Sequence, residues 1–154
     1  MHSVVQPTPE HTVRSALLSD HARMDEQLER MLAAFERGDR AQALEVWTAF
    51  EAQLRNHLTL EERVLMPLVL KRNYRTAMAL LQEHKHLRQR MDELSVAVEL
   101  HVARAEQARA FAMELQAHAR HEDRVLYAVA DEIEQDADAS RIIAEFVSSL
   151  KPSP

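Results

Sequence analysis

One glycine among 154 residues is the feature that most limits how this chain folds. Between Glu10 and Leu150 the only helix breakers are Gly38 and Pro67, and β-hairpins are hard to close without Gly, Pro or Asn-Gly turns. The expected fold is all-α. A chain of this length builds a single core, so one domain over residues 1–154 is expected. The apolar fraction of 46% supplies that core.

Hydrophobic spacing divides the chain into four long amphipathic segments. The first opens after Pro7–Pro9 and ends near Gly38, with Leu17, Met24, Leu28, Met31 and Phe35 on its seam. The second runs from about Arg40 to the region of Pro67, where Pro67 and the KRNY stretch mark its end, and carries Trp47, Phe50, Leu54 and Val64. The third spans about Arg75 to Glu99 through Leu80, Leu87, Met91, Leu94 and Val98. After a turn placed near His101–Ala105, the fourth continues to about Glu134 through Phe111, Leu115, Val125 and Val129. Asp138 or Ser140 would cap a short last helix, about residues 139–150, with Ile142, Ile143, Phe146 and Leu150. Short connections between such segments predict an antiparallel up-down-up-down four-helix bundle with its core over about residues 12–134.

Composition excludes several functions. Acidic residues exceed basic ones, 25 to 19, giving a formal charge of −6 with no basic patch, which argues against nucleic-acid binding. Without cysteine there is no thiolate metal site, disulfide or thiol nucleophile, so a metal would need nitrogen and oxygen ligands. Uncharged runs such as Val64 to Leu70 fall far short of the ~18 residues that span a membrane. The opening MHSVVQPTPE has no basic region followed by an apolar one, so a cytoplasmic location is expected.

Polar residues interrupt every seam. The 3/4 spacing passes through His21 in the first segment, His57 and Glu61 in the second, His84 in the third, and His118 and Glu122 in the fourth. Measured from the turns, all six fall within about one or two helical turns of one layer. A buried, unpaired carboxylate or imidazole costs several kcal/mol, on the order of a large pKa shift, so the six need each other or a metal. A metal-free polar layer that fixes helix register is the rival reading. His2, His11, His86 and His121 lie off the seams and are expected to be exposed, and His101 is expected to serve the helix end. Glu62 and Asp123 are expected beside the two seam glutamates.

The chain also repeats itself. A shift of 61 residues carries Phe50, Leu54, His57, Glu61, Arg63, Val64 and Leu65 onto Phe111, Leu115, His118, Glu122, Arg124, Val125 and Leu126. A shift of 63 carries Leu17, Leu18 and His21 onto Leu80, Leu81 and His84. Each half supplies one lone histidine and one His-x-x-x-Glu, a pair of equivalent ligand sets that suits two metal ions related by a pseudo-twofold axis. Imidazole with carboxylate suits iron, manganese or zinc, and a dinuclear centre can share its carboxylates.

The order His, His-x-x-x-Glu, His, His-x-x-x-Glu on four successive helices resembles the hemerythrin-like HHE cation-binding domain over about residues 12–134. The resemblance implies a non-haem site of two iron ions, manganese or zinc being the lesser choices, with His21, His57, His84 and His118 as terminal ligands and Glu61 and Glu122 bridging. It implies a small diatomic or peroxide partner (oxygen, peroxide or nitric oxide) in sensing, detoxification or iron handling. Two departures stand out. Oxygen-carrying members place a second histidine one turn after the third-helix histidine, where this chain has Arg88. They also present the last carboxylate five residues after the fourth-helix histidine, which selects Asp123, whereas the seam and the repeat select Glu122. Alternatives are a ferritin-like carboxylate oxidase or store, whose Glu-x-x-His pattern is met off the seam by Glu83/His86, and a metal-free helical interaction module.

Overall fold

The computed structural model describes residues 13–135 and 137–150, all-helical and without strands. The elements are α1 (Val13–Glu36), α2 (Arg40–Leu60), a π-helical turn (Glu61–Leu65), α3 (Met66–Arg72), α4 (Tyr74–Glu99), α5 (Ala105–Gln135) and α6 (Ala137–Leu150). His2 and His11, and the side chains of Leu17, Leu126, Val129, Ser140, Ile143, Phe146 and Leu150, lie outside the described residues.

Local chemistry explains the boundaries. Gly38 takes the left-handed conformation (φ +68°) and its N–H donates to the Phe35 carbonyl at 3.1 Å, closing α1. Asp39 then caps α2 by accepting from the Gln42 N–H at 3.0 Å, and Asn73 caps α4 by accepting from Thr76 N–H at 3.1 Å. The α4–α5 turn has no glycine, so His101 adopts φ 58° in its place. Its N–H bonds Val98 O at 3.1 Å and the Val102 N–H bonds Ala97 O at 2.9 Å, the two hydrogen bonds of a Schellman stop. His101 is exposed and serves that turn.

Of the two markers expected at the end of the second segment, the helix passes Pro67 and stops at Arg72, inside the KRNY stretch. The π turn is what allows this: the Met66 N–H reaches back five residues to Glu61 O, and Pro67, lacking an N–H, follows in the first turn of α3. Ala128, the repeat counterpart of Pro67, sits in unbroken α-helix. The last helix starts at Ala137, so positions 138 and 140 lie inside it rather than at its cap.

Contacts between helices fix the layout. Trp47 Nε1 donates to Ser95 Oγ at 2.9 Å, Arg55 reaches Asp92 at 2.5 Å, and Arg88 reaches Thr59 at 3.3 Å, so numbering rises along α2 as it falls along α4. His118 and Glu83 at 3.0 Å, with Arg90 and Glu114 at 3.3 Å, relate α4 to α5 in the same opposed sense. Glu36 with Arg109 and His21 with Asp123 do so for α1 and α5. One apolar cluster, including Leu28, Met31, Trp47, Leu54, Met91 and Phe111, fills the end near the Gly38 and His101 turns. A second, from Leu65, Met66, Val69, Ala77 and Leu80, fills the other end. The buried polar residues lie at the sequence heights between them.

No atom lies within 4 Å of a Cβ built on Gly38, so its replacement is strained by backbone conformation alone. Gly38→Ala is expected to lower unfolding free energy by about 1 kcal/mol and Gly38→Asn by less, since asparagine tolerates the left-handed region. Urea denaturation checks this, and an alanine variant as stable as the parent would contradict it.

Candidate metal centre

All six seam residues named from the sequence, His21, His57, Glu61, His84, His118 and Glu122, are buried, and Glu61, Glu122 and His84 expose no surface. They gather into two overlapping groups. His21, His57, Glu61 and Glu122 form one, and Glu61, His84, His118 and Glu122 the other, with the offered atoms of each group within 4.8 Å of one another. Both glutamates belong to both groups.

The carboxylate oxygens divide between the groups. Glu61 Oε1 lies against His57 Nε2 and 4.0 Å from His21 Nε2, while its Oε2 is 3.1 Å from His84 Nε2. Glu122 Oε1 is 3.3 Å from His21 Nε2, and its Oε2 is 3.1 Å from His118 Nε2 and 3.6 Å from His84 Nε2. Each glutamate thus presents one oxygen to each histidine pair. These atoms are close without meeting hydrogen-bond geometry: both oxygens of both glutamates, and His84 Nε2, are buried with no hydrogen-bond partner. Such atoms are costly unless something else satisfies them, and a cation between nitrogen and oxygen does so. The donor set fits a metal and is compatible with metal binding.

Every imidazole turns its other nitrogen to an outer carboxylate. His21 Nδ1 is 2.7 Å from Asp123, His57 Nδ1 2.9 Å from Asp20, His84 Nδ1 3.3 Å from Glu62 and His118 Nδ1 3.0 Å from Glu83. Carboxylates in this position set the tautomer and raise imidazole basicity. The repeat extends to them: the shifts of 61 and 63 carry Asp20–His57 onto Glu83–His118 and Glu62–His84 onto Asp123–His21. Glu62 and Asp123, expected as outer neighbours of the seam glutamates, hold the outer nitrogens of His84 and His21. Asp20 and Glu83 were missed in this role, although each directly precedes a seam histidine and the pair shares the 63-residue shift.

Asp123 therefore stands outside the cluster and Glu122 within it. Arg88 points away from the imidazoles' inner nitrogens and clamps Glu62, with Nη2 2.9 Å from Oε2 and Nη1 against Oε1. His86 is exposed, as expected off the seam, but His121 is half-buried and holds Glu83 at 2.6 Å.

Without metal the cluster is a set of ion pairs. Burial opposes charge on His21, yet Asp123, Glu122 and Glu61 push its pKa up to about 12. Against the same burial, Glu61 and Asp20 raise His57 to about 10, and Glu122 and Glu61 raise His84 to about 9. Glu61 is held below its ordinary value by His57 and His21 despite burial and the charge of Glu122, and Glu122 is held well below by its surroundings. A raised histidine pKa stabilises the fold fully below the unfolded value near 6.5, and that stabilisation is lost as pH climbs through the folded value. The lowered glutamates act in the opposite sense, stabilising above about 4.5 and failing as pH falls through their folded values. The metal-free chain is therefore expected to melt at lower temperature at pH 9 than at pH 6. Calorimetry in the presence of chelator tests this, and equal melting temperatures would contradict the ion-paired cluster.

No helix among the described residues is long and apolar enough to cross a membrane. Comparison with known proteins finds no match among curated proteins and none among solved structures. The family profile of the hemerythrin HHE cation-binding domain matches residues 12–130, a span that includes all six clustered residues and all four outer carboxylates. With most of its length matched, this chain belongs to the hemerythrin HHE cation-binding domain family.

Proposed function

We propose that residues 1–154 form one up-down-up-down bundle with a short C-terminal helix, and that it holds two iron ions which bind or react with oxygen, peroxide or nitric oxide. The opposed helix pairings support the topology. The observation that carries the site is the sharing of both buried glutamates between two histidine pairs, one oxygen to each. His21 and His57 would hold one ion, His84 and His118 the other, and Glu61 and Glu122 would bridge them. When bound, iron supplies redox and Lewis-acid chemistry, and the chain's residues orient it, exclude water and leave positions open.

A small ligand suits what surrounds the cluster. A cavity of about 10 Å³, room for about one water-sized molecule, lies among His21, His57, Glu61 and His118 under Met24, Leu54, Leu58 and Leu115. Arg88 stands where a fifth imidazole would be, but its guanidinium offers only N–H donors and is engaged by Glu62 and Thr59. Four histidines and two shared carboxylates therefore leave coordination positions for an exogenous ligand. The ferritin-like alternative loses its motif: Glu83 is occupied by His118 and His121, and His86 is exposed. Both oxygens of Glu61 and of Glu122 are buried without a hydrogen bond although imidazoles stand close by, and this weighs against a metal-free interaction module.

His57→Ala is expected to lower iron content strongly while His86→Ala leaves it unchanged, as measured by elemental analysis; equal losses would refute the assignment. Mixed with oxygen, the anaerobic ferrous protein is expected to convert quickly to an oxidised visible spectrum that persists after oxygen is removed. A spectrum that returns to the ferrous form on removing oxygen would instead make the protein a reversible carrier.

A further inference from the structure

The internal repeat is close to exact in its inner and outer ligands but breaks one turn further on. Four residues after His21 the chain has Asp25, and four residues after His84 it has Arg88, a carboxylate exchanged for a guanidinium at equivalent positions. Asp25 lines the small cavity together with His21 and His57. Arg88 grips both oxygens of Glu62, whose Oε1 is also the partner of His84 Nδ1. That shared oxygen lies 3.3 Å from His84, whereas the equivalent Asp123 oxygen lies 2.7 Å from His21. The contacting carboxylates and guanidinium groups match in number, Asp20 and Asp123 with Arg23 in the His21/His57 half and Glu62 and Glu83 with Arg88 in the His84/His118 half. The His21/His57 half alone has one more carboxylate beside it, the exposed Asp25 on the edge of the cavity.

Resting on the two-ion reading above, we infer that the two halves are unequal metal positions and that the His21/His57 half fills first, Arg88 acting as the positioning residue that weakens its counterpart. Two forces act together. The additional negative charge near His21 attracts a cation directly. Asp123, bound only to the imidazole among the described contacts, makes His21 a stronger donor than His84, whose carboxylate divides its oxygens with Arg88. Outer partners of this kind change metal affinity by about tenfold or more. Two equal halves would also load in two steps, because the ions repel one another, but the first ion would then divide evenly between them. The diagnostic quantity is therefore where the first ion sits.

Crystals of the full chain grown with one equivalent of cobalt(II), and read by anomalous scattering, measure that partition. At least about ten times more anomalous density is expected between His21 and His57 than between His84 and His118. Arg88→Gln should move density toward the second half, and Asp25→Asn, an exposed change that leaves every imidazole contact in place, should do so independently if the first variant fails to fold. Equal density, a preference for the His84/His118 half, or a partition that neither folded variant alters would overturn the inference. A chain that takes up two cobalt ions evenly would leave the two-ion reading standing, while a chain that binds none would remove both.

Discussion

Two carboxylates with no exposed surface, Glu61 and Glu122, are the constraint on which the rest of the structure depends. An isolated buried carboxylate costs many kcal/mol, on the order of tens in an idealised low-dielectric interior. This chain offsets that cost by bringing an imidazole from each of four helices to the same two side chains. The helices have to reach one layer, in register, or the charge is left unpaired. Apolar clusters at either end of the bundle supply the adhesion, but the polar layer selects which packing of those clusters is acceptable.

A second ring of carboxylates holds the first in place. Asp20, Glu62, Glu83 and Asp123 each take the outer nitrogen of one imidazole, and the internal repeat relates them in pairs. The internal repeat thus covers the outer carboxylates as well as the inner side chains. Its departures are local and have visible causes. The π turn at Glu61–Leu65 occurs where Pro67 follows and is absent where Ala128 follows. Arg88 replaces the acid found at the equivalent position, Asp25, and binds Glu62. Inner side chains that repeat between the two halves therefore have unlike charges around them.

Much of this was legible in the sequence because helices convert spacing into direction. The 3/4 series that carries Leu54 and Leu115 inward carries His57 and Glu61, or His118 and Glu122, to the same face. The choice of Glu122 over Asp123 followed from that phase, and the structure places Asp123 on the outer nitrogen of His21 instead. What spacing does not encode is where a helix loses its regular period. Pro67 and the KRNY stretch both read as an end, and a single wide turn carries the helix past the first to Arg72 in the second. Pairings across helices are less visible: Asp20 and Glu83 each directly precede a seam histidine and share the repeat, but their partners His57 and His118 lie on other helices and emerge only on packing. The left-handed His101 is similar, since any of several residues near the turn could have taken that conformation.

The central claim is that six inward-facing side chains form one site for two ions, and iron titration of the metal-free chain tests it most directly. Bound iron should saturate at two per chain, with a melting temperature that rises as the site fills, because metal that binds only the folded layer stabilises it. Saturation at one ion, or uptake that leaves the melting temperature unchanged, would contradict the account.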